Sequence, residues 1–176
     1  MTDRAREASP TDSAVKLGIL TAFMGTVVVF DRATKVFVER SFHLYQQVDV
    51  VGDFFRLTYI HNPGAAFGIH LGPYSRVIFL ALSLVALVAL AGMYWITPAR
   101  DRVRLAAIAL ICGGAVGNLV DRIRWERGVV DFLDVGFGSV RWPVFNVADM
   151  AVTAGALLLA LSLWREERGR DGPVGG

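Results

Sequence analysis

Apolar residues gather in four long blocks, at about 17–38, 76–96, 104–123 and 145–164, and polar residues, glycine and proline return between them. Each block has roughly the 20 residues that a helix rising 1.5 Å per residue needs to cross about 30 Å of hydrocarbon. The pattern predicts an all-α membrane protein, a four-helix transmembrane bundle built as one integral domain over 1–176. Its tails would be 1–16 and 165–176, and its longer loops about 40–75 and 124–144. The first block follows Arg4, Arg6 and Lys16 as an export signal would. However, LGILTAFMGTVVVF is followed by DRATK and not by a small-residue cleavage site, so a retained helix is expected. TPARDRVR joins the second and third blocks, with Pro98 ending one helix.

In the first long loop, QVDV and FFRLTYI flank Val51-Gly52-Asp53, and β-branched and aromatic residues around a Gly-Asp turn predict a short hairpin. HNPGAAFGIHLGP follows, where Pro63 and Gly64 should end the strand. The rest reads as a connector, with a loop lying on the membrane surface as the alternative.

Composition agrees with the pattern: 54% of residues are hydrophobic, 19% are charged, and the mean hydropathy is +0.48. The net charge of +2 comes from arginines at the edges of apolar blocks and not from a basic face with interleaved aromatics, which argues against a nucleic-acid partner. Residues 1–16, 97–104 and 165–176 hold nine Lys and Arg in 36 positions, whereas 40–76 and 122–144 hold seven in 60. The positive-inside rule then places both termini in the cytoplasm and the two long loops outside. The polar, glycine- and charge-rich ends are expected to be poorly ordered. One cysteine, Cys112, lies within an apolar block, so neither an internal disulfide nor a thiolate cluster can form.

Polar residues at membrane depth are costly and usually have a role. Asp31 and Lys35, four apart on one helical face, are accounted for by a local ion pair. Asn118, Asp121 and Arg122 share a face near the outer end of the third block, and an internally satisfied Asp–Arg network explains them. In VVDFLDV, Asp131 and Asp134 would point to opposite faces of a strand, leaving one of them solvated. Asn146 and Asp149 open the fourth block three residues apart, which by itself suits an N-cap and a carboxylate near the helix dipole.

A shared level adds something to these separate explanations. Asp121, Asp131 and Asp149 all map to the outer face. His43, His61 and His70 are scattered without metal-ligand spacing, no metal or cofactor is expected, and no GxSxG is present. Paired carboxylates are the recurrent chemistry. Two that share a proton can activate water as base and protonate a leaving amine as acid. A proton or cation relay would need polar positions across the whole depth of the bundle, and they occur at one end only. A structural scaffold would leave the polar residues at that level without purpose.

DRATK, NPGAAFG, GGAVGNLVDRI, VVDFLDV and FNVADMAV, in that order on a four-span frame, resemble the lipoprotein signal peptidase (signal peptidase II) family of membrane aspartyl proteases. The resemblance covers nearly the whole chain. It implies that Asp131 and Asp149 are the catalytic pair, that Asn62, Asn118, Asp121, Arg122 and Asn146 line the site, and that Asp31 and Gly114 contribute. Asp31 and Asp121 would then shape the pocket as well as form ion pairs. The hairpin would belong to a small extracytoplasmic β-sheet that cradles substrate. The substrate implied is a diacylglyceryl-modified prolipoprotein, cut before its lipid-bearing lipobox cysteine. The enzyme would work as a monomer in contact with membrane lipid, in the bacterial cytoplasmic (inner) membrane, with its site near the outer face.

Overall fold

The computed structural model describes residues 9–63 and 72–170, with side chains described up to Arg168. Ser9 caps the first helix through its hydroxyl, which accepts from Thr11 N, and Pro10 takes the first helical position, where a missing N–H costs nothing. α1 (Pro10–Leu20) continues through a π-helical segment, Thr21–Gly25, into α2 (Thr26–Ser41). The helix therefore starts seven residues before the apolar block, in a stretch expected to be poorly ordered. The cap, not hydrophobicity, sets its beginning. β1 (Gln47–Val51) and β2 (Phe55–Asn62) form the expected hairpin, with Gly52 in the left-handed region (φ 49°) at its turn. The following segment 64–71, which holds most of NPGAAFG and His70, lies outside the described residues.

α3 (Ser75–Ile96) and α4 (Arg102–Arg124) come next, with Asp101 capping α4 by accepting from Arg104 N at 3.1 Å. β3 (Val129–Phe137) and β4 (Val140–Arg141) precede α5 (Val147–Arg170). α5 runs six residues past the fourth apolar block, so 165–170, assigned to a disordered tail, is helical.

Among the described residues, four helical stretches are long and apolar enough to cross a membrane. Their outer surfaces carry exposed Val77, Leu82, Val85, Val88 and Leu157, side chains suited to hydrocarbon. α4 is the central helix and packs on α1, α2, α3 and α5. Small residues make this close approach practicable. A Cβ on Gly113 would lie 2.9 Å from Val27 Cβ, and one on Gly114 2.3 Å from Ala148 O.

The four strands form one antiparallel sheet in the order β1-β2-β3-β4. The hairpin is thus half of a sheet, completed from the second long loop. Ile60 pairs with Asp131 and Asn62 with Val129. Buried Val38, Tyr59, Val130 and Phe132, with Phe42 and Trp125 packed against them, seat the sheet on the ends of the helices. Phe145 hydrogen-bonds to Leu133 in both directions (2.8 and 3.0 Å), tying the start of α5 to the same strand.

Candidate active site

The first turn of α5 is closed by a reciprocal capping box. Asp149 N donates to Asn146 Oδ1 at 2.9 Å, and Asn146 N donates to Asp149 Oδ2 at 3.2 Å. This is the cap read from the residue spacing, and it fixes the Asp149 carboxylate at the head of the helix. It also turns the Asn146 side-chain NH2 the other way, where it donates to Asp131 Oδ1 at 2.6 Å. The β2–β3 register brings Asn62 beside Asp131, and Asn62 Nδ2 donates to Asp131 Oδ2 at 2.9 Å. Asn118, on α4, donates through Nδ2 to Asp149 Oδ1 at 2.8 Å. Each of the four oxygens of Asp131 and Asp149 therefore accepts one N–H.

Both carboxylates face one cavity of about 680 Å³. Asn62, Asn118 and Arg122 join them at its polar end, and Met150, Thr153, Ala154 and Leu157 continue it down one exposed face of α5. Asp131 is 1% exposed, and burial, with the neighbouring charge of Asp149, pushes its carboxyl up to about 7. Such a carboxyl can hold and release a proton near neutrality.

The remaining site residues divide into groups. Asp31 accepts from Ala148 N at 2.9 Å, a further bond to the start of α5, and pairs with Lys35 at 2.8 Å, as its i,i+4 spacing predicted. Gly117 leaves room for it: a Cβ there would stand 2.5 Å from Asp31 Oδ2. Gly114 sits at the α4–α5 contact and does not line the cavity.

Two expectations need correction. Asp121 does not pair with Arg122. Its Oδ2 lies 2.8 Å from Lys35 Nζ and accepts from Val130 N at 3.2 Å, while Arg122 faces the cavity. Successive helical residues point about 100° apart, so the two cannot serve the same side. Asp131 and Asp134 do separate onto different surroundings, but neither is solvated. Asp134 is 4% exposed, accepting from Thr58 Oγ1 at 2.8 Å and Arg141 Nε at 2.6 Å.

Lys35 reaches further than its i,i+4 spacing from Asp31 predicts. It was accounted for by Asp31, yet it is 0% exposed and reaches α4 as well. The cost of a buried ammonium near the end of a membrane-length helix was the available signal. His61 packs against Tyr59 and Trp125.

A carboxylate pair, Asp131 buried and Asp149 partly so, with each oxygen held by an N–H, opens onto an apolar groove in a bundle of four membrane-length helices. That fold and site define a membrane enzyme with acid–base chemistry available at one end of the bundle. The family model described as signal peptidase (SPase) II matches residues 23–165, and the chain belongs to that family. It is 47% identical over 144 residues to the lipoprotein signal peptidase of Geobacter metallireducens, covering 80% of this chain and 87% of that one. It is 43% identical over 147 residues to that of Moorella thermoacetica, covering 82% and 93%. A bacterial membrane enzyme solved by the in meso method at 2.3 Å superposes with a TM-score of 0.80 at 28% identity, over 90% of this chain and 95% of that one. The protein is thus a multi-pass membrane peptidase of the family that removes signal peptides from prolipoproteins.

Proposed function

We propose that the protein is an aspartyl endopeptidase that cuts diacylglyceryl-modified prolipoproteins before the lipid-bearing cysteine, with Asp131 and Asp149 as its catalytic pair. The observation that carries this reading is the donor arrangement, in which Asn62, Asn118 and the Asn146 cap hold both carboxylates at one polar cavity end. Capping and catalysis do not compete for Asp149. The cap uses Oδ2, and the carboxylate still lines the cavity.

In the resting pair, Asp131 holds the shared proton and Asp149 is ionised. Asp149 takes a proton from a water between them, and the hydroxide attacks the scissile carbonyl. Asp131 gives its proton to the carbonyl oxygen as the tetrahedral intermediate forms. Asp149 then protonates the departing amine while Asp131 recovers the proton from the collapsing diol, which restores the starting state. Asn62, Asn118, Asp121, Arg122 and Asn146 shape this end of the cavity, and Asp31 and Gly114 hold the helices that carry it. The groove along Met150, Thr153, Ala154 and Leu157 offers an apolar wall for the substrate's lipid-bearing segment.

Family membership supports placement in the bacterial cytoplasmic (inner) membrane, and the Lys and Arg distribution supports cytoplasmic termini with the cavity near the outer face. A substrate anchored by lipid, with its scissile bond at the membrane surface, would meet the carboxylates there. The enzyme works as a monomer, its partners being substrate and membrane lipid.

The reading is tested by incubating the purified protein with a lipid-modified prolipoprotein and following the shift on a gel. Cleavage is expected, and it should persist in excess chelator. Asp131→Asn and Asp149→Asn should each fold yet lose at least about 10² to 10⁴ in rate, the scale of lost acid–base assistance. The double variant should be scarcely worse than either single one. Near-normal turnover in a well-folded Asp149→Asn preparation would leave the residue as a helix cap alone.

A further inference from the structure

Lys35 carries more contacts than its ion pair with Asp31 explains. An ammonium has three N–H donors. Those of Lys35 meet Asp31 Oδ2 at 2.8 Å, Asp121 Oδ2 at 2.8 Å and Asn118 Oδ1 at 3.0 Å, in a place with 0% exposure. The two aspartates answer the charge of Lys35 directly. Its third bond is different in kind, because it ends on an amide.

An asparagine amide has one acceptor end and one donor end, and only the acceptor end can face an ammonium. With Oδ1 held by Lys35, Asn118 must present its NH2 to Asp149, where Nδ2 donates at 2.8 Å. Asn146 Nδ2 adds a weaker hold on the same oxygen at 3.1 Å. Were the amide to turn over, NH2 would face the ammonium and a carbonyl would face Asp149. Asp149 would then need its own proton to make that contact, and a protonated Asp149 cannot take one from water.

We propose that Lys35 is a positioning residue for the carboxylate pair: it locks the Asn118 amide so that an N–H points at Asp149, keeping Asp149 as the base. The proposal rests on the reading of Asp131 and Asp149 as the catalytic pair. The charged groups around this unit are Asp31 and Lys35 from α2, Asp121 and Arg122 from α4, Asp131 from β3 and Asp149 itself from α5. Arg32 stands 3.9 Å from Asp121 Oδ1, on its far side from Lys35.

The test uses the full chain and a lipid-modified prolipoprotein, with thermal unfolding followed in parallel. Lys35→Met strands two buried carboxylates, so Lys35→Met/Asp121→Asn, which removes one charge of each sign, is measured beside it. In the folded variants kcat should fall by about 10- to 100-fold with KM within about threefold, the pattern of a loss specific to the transition state. The acid limb of the kcat profile should move to higher pH by about one unit, since a freed amide favours protonated Asp149. In an Asn118→Ala background, Lys35→Met should add less than about a further threefold, because residues that act through one another are not additive. Multiplying losses in that background, an unmoved acid limb with a raised KM, or failure of both Lys35 variants to fold would each overturn the proposal and make Lys35 a structural cation. Near-normal Lys35→Met with inactive Asp131→Asn and Asp149→Asn would overturn it alone. Normal activity of those two aspartate variants would instead overturn the catalytic pair.

Discussion

Asp131 and Asp134 stand three residues apart on β3 with opposite fates, and the difference is one of partners. Among the described residues, Asp131 receives amide N–H groups and sits beside another carboxylate, while Asp134 is paired with a guanidinium. A free aspartate titrates near 3.9, and Asp131 is pushed up to about 7. In the proposed mechanism it must hold a proton, so kcat should fall as pH rises through about 7, and a pH–rate profile checks this. The same shift acts on stability. The folded chain binds the extra proton between the two values, so Asp131's contribution is fully present below about 4 and disappears as pH rises through about 7. Denaturant melts at pH 5 and pH 8 should show this slope, and Asp131→Asn should reduce it. Asp134→Asn should lower stability by about 1–3 kcal/mol, because Arg141 keeps partial exposure and only some of a buried-pair penalty applies. Turnover of the folded fraction should stay near normal.

Helices α4 and α5 make the closest contact near the site, and glycine permits it. With Gly114, Gly117 and Gly155 facing the neighbouring helix or its side chains, the backbones approach to distances that a Cβ would forbid. A methyl on Gly114 would lie 2.3 Å from Ala148 O and 2.7 Å from Val152 Cγ2. Gly114→Ala should therefore push α5 off α4 at its first turn and stretch the 2.8 Å bond between Asn118 and Asp149. The expected result is a loss of about 1–3 kcal/mol in thermal unfolding from overpacking. A misplacement on the order of 1 Å costs on the order of 10² in rate, so activity should fall further than stability suggests. The sheet has the complementary task. β3 brings Asp131 to the cavity while Val130 N, bonded to Asp121, pins the strand to α4.

Taken together, the chain places its titratable pair at the heads of two elements at the same end of the bundle. Apolar groove residues run away from that end along α5. Arginines crowd the short link at 97–104 and the two termini. If the positive-inside rule orients the molecule, a reporter active only outside the cytoplasm should work when inserted near Gly136 and fail near Ala99. The reverse pattern would put the cavity on the side where a prolipoprotein's lipid-bearing cysteine is not found, and the proposed substrate would fall with it.

The four apolar helices and the Asn146–Asp149 cap were legible along the chain because both depend on near neighbours: a hydrophobic run of sufficient length, and two polar side chains three residues apart. The Val51-Gly52-Asp53 hairpin was legible for the same reason, its turn and flanking strands being contiguous. The helix at 10–16 lies outside any apolar block, because Ser9 and Pro10 start helices regardless of hydropathy. The pairing of β2 with β3, the Thr58–Asp134 and Ala148–Asp31 bonds, and Lys35's reach to Asp121 and Asn118 could not be read locally. They join residues 76 or more positions apart in the cases of Thr58–Asp134 and Lys35–Asn118, and 117 apart for Ala148–Asp31. Spacing along one element says which residues share a face. It is the docking of α2 and α5 on the glycine-lined α4 that decides which faces meet, and so which oxygen each buried N–H finds.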